Sequence, residues 1–238
     1  MGIKSFGAVV IAALAIGAAS ASSASATLTT TAAEWYTGPT QTGVTTLSAD
    51  RMLTASIAEH SPIGKKFELT GVIGGTAITL TATGLEGSGC EITNMEVTSK
   101  AGNVAVGKGK LVLTGVTEDV PSPCTVVGGK ITTQALTFHA DWMHEGKWFL
   151  HFFPTAGTTF AGFEISGVPP CPAGSFKLTG SVYGEGKSGT NSFKTTQEVT
   201  FSPAIQTTVG GTLALGTQPA NLTGTGNFQA GGQFFGVK

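Results

Sequence analysis

Apolar and polar residues alternate with a period of two along most of this chain. Residues 66–72 read K-F-E-L-T-G-V, which sets Phe67, Leu69 and Gly71 on one face and Glu68 and Thr70 on the other. Residues 77–82 (A-I-T-L-T-A) and 108–116 (K-G-K-L-V-L-T-G-V) repeat the pattern with side chains that pack well on a pleated surface. Similar runs occupy 126–138, 147–153, 158–165, 175–183, 193–201, 211–215 and 220–228. Between them lie turn signals such as Ile73-Gly74-Gly75, Gly87-Ser88-Gly89, Pro121-Ser122-Pro123, Gly184-Glu185-Gly186 and Gly189-Thr190-Asn191. Strands spaced about 8 to 15 residues apart predict an all-β fold: an antiparallel β-sandwich or flattened β-barrel of about 10–12 strands. Helical patterning is scarce. In residues 48–60, Asp50 precedes a stripe of Met52, Leu53 and Ile57, yet Met52, Thr54, Ser56 and Ala58 alternate too, and the segment reads as a long strand. The Thr-rich residues 27–46, with Trp35 and Tyr36, read as an N-terminal arm or edge strand ahead of one all-β domain over 47–238.

The first 26 residues follow a different pattern. Lys4 supplies a positive charge, residues 6–19 form an unbroken run of apolar and small side chains, and Ala24-Ser25-Ala26 has the A-x-A form a signal peptidase accepts. This predicts a secretory signal peptide over 1–26, cleavage before Thr27 with a cut after Ala21 as the competing choice, and a secreted, extracellular product. The run is too short for a membrane span, which needs roughly 20 residues. No membrane anchor is expected after cleavage. Leu-Thr-Gly recurs at Leu69, Leu113, Leu178 and Leu222, with 44 residues separating the first pair and the last. The spacing raises a weak internal duplication against compositional coincidence, and the tripeptide suits a strand end, where Gly permits a turn or bulge.

Composition narrows the function classes. Of 238 residues, 35 are Gly, and only 11% are charged against roughly 25% in ordinary domains. The 13 basic and 14 acidic side chains leave a net charge of −1. Nucleic-acid binding, coiled coils and solvated disordered tails all need denser charge, so none fits. Three cysteines in an exported chain imply one disulfide and one thiol left over. Cys90 and Cys124 border a well-patterned block, and pairing them closes about 35 residues, worth about 3.5–4 kcal/mol in the chain-entropy account. Cys171, in Pro169-Pro170-Cys171-Pro172, is the alternative partner for either.

Three stretches carry a resemblance: residues 128–133 (G-G-K-I-T-T), 171–180 (C-P-A-G-S-F-K-L-T-G) and 213–224 (L-A-L-G-T-Q-P-A-N-L-T-G). Over roughly residues 88–228 the chain resembles a group of secreted, Thr/Gly-rich proteins of soil actinobacteria. The resemblance implies secretion and an all-β fold, and brings no catalytic residue with it.

The chemically capable side chains gather in one place. His139, Asp141, His144, Glu145 and His151 include three of the four histidines. His139 and Asp141 lie on one face of a strand, and with His151 they are the candidate ligands of a metal or acid/base site. Everything depends on register across the hairpin that turns at Glu145-Gly146. If His144 pairs with Lys147 and the ladder is regular, His139 opposes Phe152 and Asp141 opposes Leu150; a slip of one residue sets His139 against His151. The same region is rich in aromatics. Trp142 or Trp148 beside His139 and Asp141 would give a flat platform for a glycan or small apolar ligand, whereas core packing would bury those rings. Gly184-Glu185-Gly186-Lys187-Ser188 lacks the remaining features of a phosphate loop and reads as a hairpin turn. The expectation is a secreted, non-catalytic binding or cell-envelope protein without a cofactor. The alternatives are a secreted metal-dependent hydrolase or lyase acting on glycans through His139, Asp141 and His151, and an inert structural surface protein.

Overall fold

The computed structural model describes residues 33–47, 53–59, 67–96, 103–120, 124–144, 146–189 and 191–238; the expected signal peptide, residues 1–26, lies outside them. In chain order the strands are β1 (Trp35–Gly38), β2 (Thr45–Thr46), β3 (Leu53–Glu59), β4 (Phe67–Ile73), β5 (Thr76–Ala82), β6 (Gly84–Glu96) and β7 (Asn103–Thr114). There follow β8 (Thr117–Val120), β9 (Thr125–Val126), β10 (Lys130–Thr133), β11 (Leu136–His144), β12 (Lys147–Pro154), β13 (Thr159–Ser166), β14 (Gly174–Thr179), β15 (Val182–Gly186) and β16 (Gln197–Phe201). The one described α-helix, α1 (Pro203–Val209), precedes β17 (Ala214–Leu215), β18 (Gln218–Pro219), β19 (Asn221–Ala230) and β20 (Phe234–Val237). The strand content and the antiparallel sheets make an all-β sandwich. Strand segments outnumber the expected 10–12 because long runs bend and change partner: the 126–138 run divides into β9, β10 and β11, and the 175–183 run into β14 and β15.

Three long strands, β6, β7 and β19, pass through both ends of the sandwich. At one end the pairings run β3–β6–β7–β11–β12–β15–β16–β19 and return to β3, which joins the two walls along both margins. At the other end β7 pairs with β10, β10 with β13, β13 with β14, β14 with β17, and β19 with β4, which in turn pairs with β5. The change of partner falls at glycine. The register of β6 on β7 shifts between Ser88 and Glu91, opposite Gly109, and Gly224 of β19, at φ 139°, sits against the ring of Phe67.

The Leu-Thr-Gly tripeptides find their explanation in the second end. All four leucines, Leu69, Leu113, Leu178 and Leu222, are buried and line one apolar void of about 20 Å³. Each following Thr is half-buried, and Gly115, Gly180 and Gly224 have φ of 58°, 91° and 139°, where a side chain would be strained. Two of the tripeptides pair directly, Leu222 opposite Leu69. The inward Leu and outward Thr recur four times, and the Gly takes a positive φ in three of them; Gly71 instead stays inside β4, paired with Ile78.

The first end is filled by rings. Trp148, Phe138, Phe152 and Phe228 are fully buried, and Trp35 from the N-terminal arm joins them, stacked on Phe228 at 6.3 Å. The arm is therefore part of the core: β1 lies between β2 and β20, and the Trp35 indole donates to the Val106 carbonyl at 3.0 Å. Glycine makes room for these rings. A Cβ on Gly186 would fall on the Trp148 indole, and one on Gly107 would fall on Phe138. Gly184 and Gly186, expected to mark a turn, thus lie inside β15.

The disulfide also corrects an expectation. Cys124 bonds to Cys171, with Cα atoms 5.4 Å apart, and Cys90 is a buried free thiol. Cys90 lies on β6 at the register shift and packs inward against Gly109, so it faces the core and not Cys124. Cys124 immediately precedes β9, which pairs with the C-terminal part of β13, and this brings the loop carrying Cys171 alongside.

Candidate functional site

The β11–β12 hairpin is the centre of the chemistry, and one residue sets its geometry. Near the turn the register is regular, with His144 opposite Lys147, Met143 opposite Trp148 and Trp142 opposite Phe149. Between Ala140 and Trp142 it shifts, so Asp141 is the extra residue of a β-bulge and Ala140 pairs with Leu150. Beyond the bulge His139 stands directly opposite His151. Both registers weighed from the sequence occur, one on each side of Asp141.

The bulge sorts the side chains by face. Phe138, Ala140, Trp148, Leu150 and Phe152 point into the core. His139, His151 and Phe153 are half-buried on the outer face. Their neighbours extend the row, since His139 pairs with Val106 of β7 and His151 with Tyr183 of β15. The two imidazoles have ring centres 5.6 Å apart and planes at 83°. His151 lies flat on the Tyr183 ring, 4.1 Å away at an interplanar angle of 2°. Phe153 closes the group, 5.1 Å from His139 and 5.0 Å from His151.

Helix α1 holds one side of this patch. Ser202 caps its N-terminus by accepting from the Ile205 amide, Pro203 opens the first turn, and Gly210 closes the helix at φ 83°. Ile205 and Val209 pack on Phe149 and Tyr183. The Gln206 side chain does more than fill space: its Nε2 donates to the Tyr183 carbonyl at 2.6 Å, and its Oε1 accepts from the Tyr183 amide at 2.8 Å. A side-chain amide thus takes the position of a neighbouring strand, because β15 is paired with β16 only at Glu185 and Gly186. Fixing the Tyr183 backbone fixes the ring on which His151 stacks.

The predicted residues fare unequally. His139 and His151 come together. Trp148 does not offer a face to a ligand: it is 0% exposed, edge-on to Trp35, and its indole donates to the Ser188 carbonyl at 2.7 Å. Asp141 and Trp142 have described backbones, at the bulge and beside it, while their side chains lie outside the described residues. Among the described residues no three His, Cys, Asp or Glu side chains are grouped to hold a metal. Burial pushes the Cys90 thiol above its ordinary pKa, which keeps it protonated and unreactive.

Tyr183 and Gln206 were not singled out from the sequence. The signal for α1 is present in Ser202-Pro203 and Gly210, a cap, a first-turn proline and a terminating glycine. Nothing in the spacing links Tyr183 to His151, which precedes it by more than thirty positions. Among the described residues no helix is long and apolar enough to cross a membrane. Compared with known protein families, curated proteins and solved structures, the chain matches none of them.

Proposed function

We propose that this is a secreted, non-catalytic binding protein whose ligand, a glycan, rests on the outer face of β11 and β12. The observation that carries the reading is the contiguous group of half-buried His139, His151 and Phe153 on the outer sheet face, backed by the buried ring of Tyr183, with ring centres 4.1 to 5.6 Å apart. Most other large rings are consumed by the core. Sugars present apolar C–H faces that stack on flat rings and hydroxyls that exchange hydrogen bonds with imidazole nitrogens, so a mixed aromatic and imidazole patch is complementary to them. The patch is also rigid, with β7, β15 and α1 packed around it, which lowers the ordering cost of binding. Secretion is supported by Lys4, the apolar run 6–19 and Ala24-Ser25-Ala26, together with the Cys124–Cys171 disulfide.

The test is a glycan array probed with the purified secreted chain, followed by calorimetry on any hit. Phe153→Ala removes a stacking face worth about 1 kcal/mol and should weaken binding by about fivefold. Trp142→Ala, at the register position beside Phe149, is the second variant. Silence across the array, or a hit that neither variant weakens, would overturn the reading.

A further inference from the structure

We propose that His139 and His151 form a two-imidazole site for a divalent ion of the later first transition row, Zn²⁺ or Cu²⁺, bridging β11 and β12. The imidazoles are directly opposite in register, on one face, and half-buried. With metal–nitrogen bonds of about 2.1 Å, two imidazoles sharing one ion in a tetrahedral arrangement have ring centres roughly 5 to 5.5 Å apart. The observed separation is 5.6 Å, with the planes nearly perpendicular, so the ring centres already lie close to the spacing a shared ion requires. Imidazole is a preferred donor for these ions, and their affinity order favours Cu²⁺.

The surroundings restrict the rings in the way a ligand set requires. His151 is held against Tyr183, Tyr183 is held by the Gln206 amide, and Phe153 contacts both imidazoles. Each restriction reduces the conformational freedom lost on binding. Bound metal ties two strands of the hairpin together and stabilises the folded chain by mass action, because the unfolded chain does not hold the two rings in place. The inference does not rest on the glycan reading. Phe153→Ala removes a glycan contact and keeps both imidazoles, so failure of one reading is distinguishable from failure of the other.

The experiment is titration of the purified secreted chain with Cu²⁺ or Zn²⁺ alone. One ion should bind per chain, with a Cu²⁺ electron paramagnetic resonance spectrum showing nitrogen coordination and a raised melting temperature. His139→Ala and His151→Ala should each lower affinity by at least about tenfold, while the control His60→Ala leaves it unchanged. Should a variant fail to fold, imidazole resonances of the wild-type chain decide the matter: Zn²⁺ must shift those of His139 and His151 together. Binding that survives both substitutions, or rings that stay unperturbed in a large excess of Zn²⁺, would sink the proposal.

Discussion

Two buried amide side chains stand where this sheet lacks a neighbouring strand. Gln206 serves Tyr183, and Asn94 serves the N-terminal arm. Asn94 is 0% exposed; its Oδ1 accepts from the Trp35 amide at 2.7 Å, and its Nδ2 donates to the Trp35 and Leu47 carbonyls at 3.0 and 2.7 Å. Replacing Asn94 by Leu strands the Trp35 amide and the Leu47 carbonyl, each costing about 1–3 kcal/mol, while the Trp35 carbonyl still accepts from the Leu47 amide. Urea denaturation of Asn94→Leu should show a loss of about 2 kcal/mol or more, with altered Trp35 fluorescence; a loss below about 1 kcal/mol would mean that water replaces the amide. Gly186→Ala tests packing by the opposite route, since the added methyl meets the Trp148 ring, and overpacking of this kind costs about 1–3 kcal/mol. Cys90 adds a pH dependence. Burial raises its folded pKa, so in alkaline solution the unfolded thiol ionises first and the folded thiol keeps its proton. The stabilisation is therefore complete below the ordinary thiol range and is lost as pH rises through and beyond it. Cys90→Ala should flatten the alkaline limb of a stability–pH profile; an unchanged limb would assign that limb to other groups.

Among elements, the β11–β12 hairpin shows what alternation makes legible and what it leaves hidden. The strands themselves follow from the pattern, and the pairing of His144 with Lys147 belongs to one of the two registers it allows. The bulge does not, because Asp141 fits a regular strand as well as an irregular one, and a one-residue shift reverses which face every later residue occupies. That shift separates an inward Phe152 opposite His139 from the observed His139–His151 pair. Glycine misled in a related way. Gly184-Glu185-Gly186 has the composition of a turn, but its glycines answer to side chains on the neighbouring strands, Trp148 of β12 and Val199 and Phe201 of β16, which local sequence cannot reveal. Cysteine spacing carries no information on facing either. The Cys124–Cys171 bond spans a separation of 47 residues, and closing a loop of that length stabilises the fold by about 4 kcal/mol in the chain-entropy account. Cys171→Ser should lower unfolding free energy by about 2–4 kcal/mol. Peptide mapping of the native protein should find Cys90 as the thiol that alkylates only after unfolding; a Cys90-containing disulfide would contradict the fold described.

At the scale of the whole molecule, the question is whether the two ends of the sandwich behave as one. The tryptophans report on only one of them: Trp35 and Trp148 lie in the aromatic end, and Trp142 pairs with Phe149 there. The leucine-lined end contributes Leu69, Leu113, Leu178 and Leu222 to its own core. Three strands cross between the ends without a break in the chain, and the buried apolar residues of both form a continuous cluster. Melting the leucine end would release the pairings of β6 with β7 and of β19 with β4, along the same strands that carry Ile92, Ala105 and Phe228 into the aromatic end. The ends should therefore unfold together. Leu178→Ala is the probe of choice, because it removes buried volume beside an existing void that the neighbouring leucines already fail to fill, at a cost of about 2–5 kcal/mol. The variant should lower the urea midpoint equally whether unfolding is followed by tryptophan fluorescence, which reads the aromatic end, or by far-ultraviolet circular dichroism, which reads both. If fluorescence held at the wild-type midpoint while the dichroism transition moved, the shared strands would not couple the ends, and the sandwich would behave as two folding units on a common backbone.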